Sequence, residues 1–61
     1  MNWQDKIHEL EREAQGKGIT QNMISGRTGI QQPHVSRFFK AEMCPRLDTY
    51  LNIYDAVMRE Y

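Results

Sequence analysis

Between Thr28 and Phe39 the chain reads TGIQQPHVSRFF, which sets two glutamine amides, an imidazole, a hydroxyl and a guanidinium within seven residues. Such groups at the start of a helix have the donor and acceptor geometry to read base edges: an amide matches adenine N6 and N7, a guanidinium matches guanine O6 and N7. Gln31, Gln32 and Arg37 are therefore the candidates for base contacts, and Arg37 is the strongest of them. Pro33 stands between them, suited to stiffening the helix start or to touching a thymine methyl. Arg27, Ser36, Lys40 and Arg46 are candidates for contacts to a phosphate backbone, joined by Lys17 and His34. For any one of these cations, and for His34, an ordinary solvated surface role competes, so the weight of the reading rests on the amides and Arg37.

Other chemistries lack partners. Ser36 and His34 are two residues apart on an expected helix and point in different directions, with no third group to orient them, so no catalytic set is expected and the chain is not expected to be an enzyme. His8, His34 and Cys44 make three metal-compatible side chains at unrelated spacing, short of the four that a structural zinc takes. No metal or cofactor is expected, and a core this small leaves little room for a ligand-sized pocket.

With 61 residues, the chain is expected to form one domain over its whole length. Its single cysteine, Cys44, forbids an internal disulfide and is expected to pack as a small apolar residue at a loop end. No apolar run suits a signal peptide or a membrane span, so the expectation is a cytoplasmic protein without a membrane partner. The formal charge is zero, but its distribution is uneven. From Gly16 to Arg46 the cations Lys17, Arg27, Arg37, Lys40 and Arg46 face Glu42 alone, a net +4, and each flanking segment carries −2. A basic middle between acidic ends is what a local nucleic-acid contact needs, although a short chain clusters charge by chance about as often.

The elements that must position these side chains are helices. Trp3, Ile7, Leu10 and Ala14 recur at four, three and four, one stripe of a first helix with Asn2 as N-cap and Gly16 as its stop, followed by a connection containing Gly18. Thr20 caps a second helix, with Ile19 stapled to Ile24, Met23 and Ile24 as the apolar side, and Ser25 and Gly26 small enough for close helix approach. Gly29 ends it in the left-handed conformation. Ile30 then precedes a cap at Gln31 and staples to Val35, with Pro33 in the first turn and Val35, Phe38 and Phe39 facing inward. After a loop over 41–45, Pro45 launches a last helix with a wide stripe of Leu47, Tyr50, Leu51, Tyr54, Val57, Met58 and Tyr61, broadened by Ile53 and Ala56. The fold class is all-α, with four helices, five at most.

Two short helices about a glycine turn, the second exposing polar and basic side chains at its start, form a helix-turn-helix at about residues 20–40. At this point the chain resembles the lambda-repressor-like, or Cro-type, regulators of phages and bacteria. Gly18-Ile19-Thr20-Gln21 is similar to the family's GLTQ opening of helix two, Thr28-Gly29-Ile30 to its TGV turn, and Val35-Ser36-Arg37-Phe38 to its ISR followed by an apolar residue. Gln32-Pro33 matches a QPxxSRF variant, and the segment from Pro45 to Val57 is similar in register to PSLETLLKIAKAL. The likeness covers residues 5–58 and departs from the pattern at Ala41, where the family has glycine, and at Arg46, where it has serine.

The resemblance implies a sequence-specific transcriptional regulator, a repressor of Cro or prophage type, that lays helix three in the major groove of double-stranded DNA. The family's base-contacting positions fall on Gln31, Gln32 and Arg37, and Gln21 resembles its phosphate-binding glutamine at a helix start that already favours anions. One recognition helix makes few base contacts, so a homodimer on a palindromic operator is expected, at least on DNA, with the surplus apolar residues Tyr54, Met58 and Tyr61 available for the contact. No counterpart of the family's fifth helix, often used for dimerisation, is expected within these residues. The alternative reading is a protein-binding module of the same fold, an antitoxin or antirepressor, which the neutral charge and acidic ends favour slightly.

Overall fold

The computed structural model describes residues 2–59, which form four helices: α1 (Trp3–Gly16), α2 (Gln21–Thr28), α3 (Gln32–Lys40) and α4 (Leu47–Met58). The described residues include no strand. Tyr61, expected on the α4 stripe, lies outside the described residues.

Local chemistry sets the helix boundaries. Asn2 is extended, and its side-chain oxygen accepts the Asp5 N–H at 2.9 Å, satisfying one of the donors that a helix start leaves free. The end of α1 differs from expectation: the helix runs through Gly16, and the reversal is at Gly18, whose φ is +72°. There the Gly18 N–H reaches the Gln15 carbonyl at 3.1 Å and the Ile19 N–H reaches the Ala14 carbonyl at 2.8 Å. This paired closure needs its left-handed residue one place beyond the cap, which is Gly18 rather than Gly16. Thr20 caps α2 through the Met23 N–H at 3.2 Å, and the Met23 sulfur accepts the Thr20 N–H at 3.5 Å in return, as the carboxylate of a capping box does. Met23 is thereby turned outward at 40% exposure, so Ile24 alone is the buried residue of α2.

The four helices share one buried cluster. Ile7, Leu10 and Ala14 come from α1, Ile24 from α2, Val35, Phe38 and Phe39 from α3, and Ile53, Ala56 and Val57 from α4. Each fully buried Ile or Val contributes about 1.5–3 kcal/mol, and Ile7, Ile24, Ile53, Val35 and Val57 are the largest such side chains. The inward face of α4 is not the one its whole stripe suggested. Ile53, Ala56 and Val57 are buried and Tyr50 and Met58 half-buried, whereas Leu47, Leu51 and Tyr54 lie exposed on the adjoining face. Cys44 also departs from expectation: its thiol is free and exposed.

Ala41, in the place where glycine was expected by resemblance, ends α3 in the left-handed conformation with φ +56°. That geometry costs an L-residue about 1–2 kcal/mol. Its N–H donates to the Phe38 carbonyl at 3.1 Å, its carbonyl accepts from Gln4 Nε2 at 3.2 Å, and its methyl is buried. Burial of that one carbon, worth about 0.8 kcal/mol, and the tie to α1 offset much of the strain.

Gly26 was expected at a close helix contact, but a Cβ built there meets nothing within 4 Å. The same is true of Gly29, whose φ is +77°. The two sites separate propensity from backbone strain. Gly26→Ala should raise the unfolding free energy by about 0.5–1 kcal/mol, and Gly29→Ala should lower it by about 1–2 kcal/mol, both read from urea unfolding followed by circular dichroism.

Candidate nucleic-acid interface

The link between α2 and α3 is fixed on both sides of one residue, Ile30. Gly29 turns the chain in the left-handed conformation, its N–H held by the Ser25 carbonyl at 2.9 Å. The Thr28 hydroxyl donates to the Ile24 carbonyl at 2.8 Å and accepts the Ile30 N–H at 3.1 Å. The Ser25 hydroxyl donates to the Ile30 carbonyl. Both main-chain polar groups of Ile30 are therefore bonded to side chains of α2, and the Ile30 side chain packs on the core. Asn52 adds a contact at 3.5 Å from its amide to the Thr28 carbonyl, linking the turn to α4. From the sequence Ser25 has value only for its size, Thr28 only as part of the TGI turn, and Asn52 no role of its own. A Ser/Thr pair three apart before a glycine stop was the signal, since short hydroxyl side chains bond nearby backbone groups.

The next residues carry the candidate readout groups. Gln31 is extended, its carbonyl accepts the His34 and Val35 N–H groups at 2.9 and 3.1 Å, and its side chain makes no capping bond. Pro33 lies in the first turn, where its missing N–H leaves no broken bond. Val35, Phe38 and Phe39 hold one side of α3 in the core. On the opposite side Pro33, Arg37 and Lys40 recur at four and three, all exposed, with Gln31, Gln32 and His34 exposed beside them and Ser36 half-buried. Among the described residues the side chains of Gln31, Gln32, Arg37 and Lys40 have no hydrogen-bond or ion-pair partner.

The remaining cations of the basic middle are placed differently. Arg27 Nη1 donates to the Ala56 carbonyl at 2.9 Å, and Lys17 Nζ donates to the Val57 carbonyl at 3.2 Å and approaches the Met58 sulfur at 3.7 Å. Both cations thus sit at the carboxyl end of α4, where the helix dipole and unpaired carbonyls attract positive charge. Arg46 precedes α4 without capping it, and its guanidinium lies 3.5 Å from Asp48 in a highly exposed pair that contributes little to stability. Gln21 is half-buried at the first position of α2, where the N–H groups of Gln21 and Asn22 have no acceptor among the described residues. The geometry therefore groups Gln31, at the cap of α3, with Gln32, Pro33, His34, Arg37 and Lys40 on the exposed side of that helix, and ties Lys17 and Arg27 to α4.

No family model, curated protein or solved structure matches the chain. Among the described residues no three His, Cys, Asp or Glu side chains converge as a metal site, and no helix is long and apolar enough to cross a membrane.

These placements predict opposite behaviour for two arginines. Arg27→Ala removes a charge-assisted bond to a helix end and should lower the unfolding free energy by about 1.5–3 kcal/mol. Arg37→Ala, at an exposed site without an intramolecular partner, should change it by less than about 0.5 kcal/mol. Parallel thermal melts of the two variants check both.

Proposed function

We propose that the chain is a sequence-specific, double-stranded-DNA-binding transcriptional regulator of the lambda-repressor-like type, a Cro- or prophage-type repressor. In this reading α2 and α3 are the two helices of a helix-turn-helix, α3 lies in the major groove, and a homodimer meets a palindromic operator with half-sites about 34–36 Å apart. The supporting observation is the outer side of α3: two unengaged amides and an unengaged guanidinium, exposed on a helix whose start is pinned through Ile30. A groove that admits one helix and offers paired donors and acceptors is the complement of such a surface.

Within this proposal Gln31, Gln32 and Arg37 read bases, with Pro33 against them. Lys40, Ser36, His34 and Arg46 contact phosphates, and Gln21 presents the free N–H groups of α2 to another phosphate. Arg27 contributes by holding the end of α4 to α2 and Lys17 by holding it to the α1–α2 connection, and both by their field, since a cation bonded to a carbonyl keeps its charge. The sequence motifs support the family part of the reading: the GITQ opening, the TGI turn, the SRF run and the Pro45 to Val57 segment stand in the order and spacing of the pattern they resemble.

A second reading rests on a specific feature. Leu47, Leu51 and Tyr54 are 72%, 52% and 43% exposed along one side of α4, apolar surface of the kind that binds protein, as an antitoxin or antirepressor would. Salt separates the two. A duplex reader loses affinity steeply as salt rises, by about 0.9 in log–log slope for each phosphate contact, so Lys40→Ala should flatten that slope by about one such step. Selection of duplexes from a random pool should return a palindrome, and Arg37→Ala should weaken binding to it by about 1–3 kcal/mol while relaxing preference at one base position. Unchanged affinity and unchanged preference in the Arg37 variant would remove the readout assignment.

A further inference from the structure

An open groove of about 620 Å³ runs between α1 and α4, away from the side chains assigned to base readout. Tyr50, Tyr54 and Met58 form its α4 wall, and the two tyrosine rings stack with centroids 6.1 Å apart. Phe38 stands behind Tyr50 at 6.2 Å, so the aromatic wall is backed by the core. The opposite wall is charged: Lys6, Glu9, Arg12 and Glu13 of α1, with Leu10 below them. None of these four charges has an ion-pair partner among the described residues.

Their order identifies what fits. Along the α1 wall of the groove the signs run plus, minus, plus, minus, at Lys6, Glu9, Arg12 and Glu13, while Asp5 and Glu11 of the same helix do not line it. Reversed, the same string runs minus, plus, minus, plus. A second copy of this helix laid antiparallel therefore sets Lys6 opposite the other copy's Glu13, and Glu9 opposite its Arg12, each pair occurring twice. Self-complementarity under a two-fold axis is the defining demand of an isologous interface. The apolar wall answers it in the same way, Tyr54 and Met58 of one copy meeting their counterparts across the axis. The four charges of α1 that line the groove sum to zero, so the pattern rather than a net sign decides the fit there.

We infer that the α1/α4 groove is a homodimer interface, in which two copies pack antiparallel about a two-fold axis with Lys6 against Glu13 and Glu9 against Arg12. This gives a surface to the dimer in the proposed function, and it is testable without DNA. A face two helices wide and one 14-residue helix long buries about 400 Å² per copy, from a helix diameter of about 10 Å and a rise of about 1.5 Å per residue. That is the size of a weak, exchanging association, so free copies pair only at high concentration.

The test is sedimentation equilibrium of the full chain at low salt, reaching about 1 mM. The unaltered chain should show a monomer–dimer equilibrium. Lys6→Glu sets Glu against Glu twice, Glu13→Lys sets Lys against Lys twice, and each should weaken self-association about tenfold or more. An equimolar mixture of the two variants should associate again as a heterodimer, because Glu at 6 of the first then meets Lys at 13 of the second, and Glu13 of the first meets Lys6 of the second. Tyr54→Lys should abolish association in every combination. All these side chains are exposed, and equal unfolding midpoints check that each variant is folded. A chain that stays monomeric throughout, a dimer indifferent to both reversals, or a mixture that stays dissociated when both variants have lost self-association would overturn the interface. Duplex binding of the same variants, measured separately, keeps the two proposals apart: an intact palindrome preference with a failed exchange experiment removes this interface alone, and a successful exchange without duplex binding removes the readout alone.

Discussion

The position of α3 depends on the two main-chain polar groups of Ile30. Its N–H is held by the Thr28 hydroxyl and its carbonyl by the Ser25 hydroxyl, so the residue that begins the second half of the α2–α3 pair has no free main-chain polar group. A left-handed glycine supplies the bend, but a glycine alone permits many directions, and the two hydroxyls select one. Buried or half-buried backbone groups must find partners, and each net bond contributes only about 0.5–1.5 kcal/mol. Here the same bonds that satisfy the backbone also set the angle at which Gln31, Gln32 and Arg37 leave the molecule. Stability and presentation of the exposed face are therefore coupled at one residue.

The chain's boundaries were legible because caps are local chemistry. Asn2, Thr20 and Gly29 act where their types place them, and the α1 stripe of Ile7, Leu10 and Ala14 is buried as its spacing requires. Gly16 against Gly18 was decided by a geometry that composition does not display, since both are glycines and the paired closure uses the one beyond the cap. The face of α4 was not legible for a related reason. Its apolar residues cover more than half the helix circumference, so periodicity marks an apolar helix without choosing its inward side. Tertiary contact chose Ile53, Ala56 and Val57, leaving Leu47, Leu51 and Tyr54 outside.

The candidate interface was legible in part. The exposure of Gln31, Gln32, Arg37 and Lys40 follows from where Val35, Phe38 and Phe39 must point. The roles of Arg27 and Lys17 do not follow from sequence, because their acceptors are main-chain carbonyls of residues 56 and 57, some 29 and 40 positions away. A carbonyl has no side-chain signature, and any helix end would serve. Cations that a count assigns to the surface field are here also the clamps of the last helix, and that helix in turn supports the turn through Asn52.

A net charge of zero then has two separate consequences. At physiological ionic strength exposed charges are screened over about 8 Å, and the molecule measures 29 × 22 × 17 Å. Charges more than about 8 Å from Arg37 and Lys40 therefore do little to cancel the potential there, and a partner approaching α3 meets the local sign rather than the sum. Under the proposed duplex-binding reading, neutrality is compatible with a basic contact face for that reason. Over the α1/α4 groove the same rule favours short-range pairing by pattern, since alternating charges attract only a surface whose order is the inverse of their own. One distribution of charge thus allows two faces with different partners, an unpaired cationic helix on one and an alternating string beside an aromatic wall on the other.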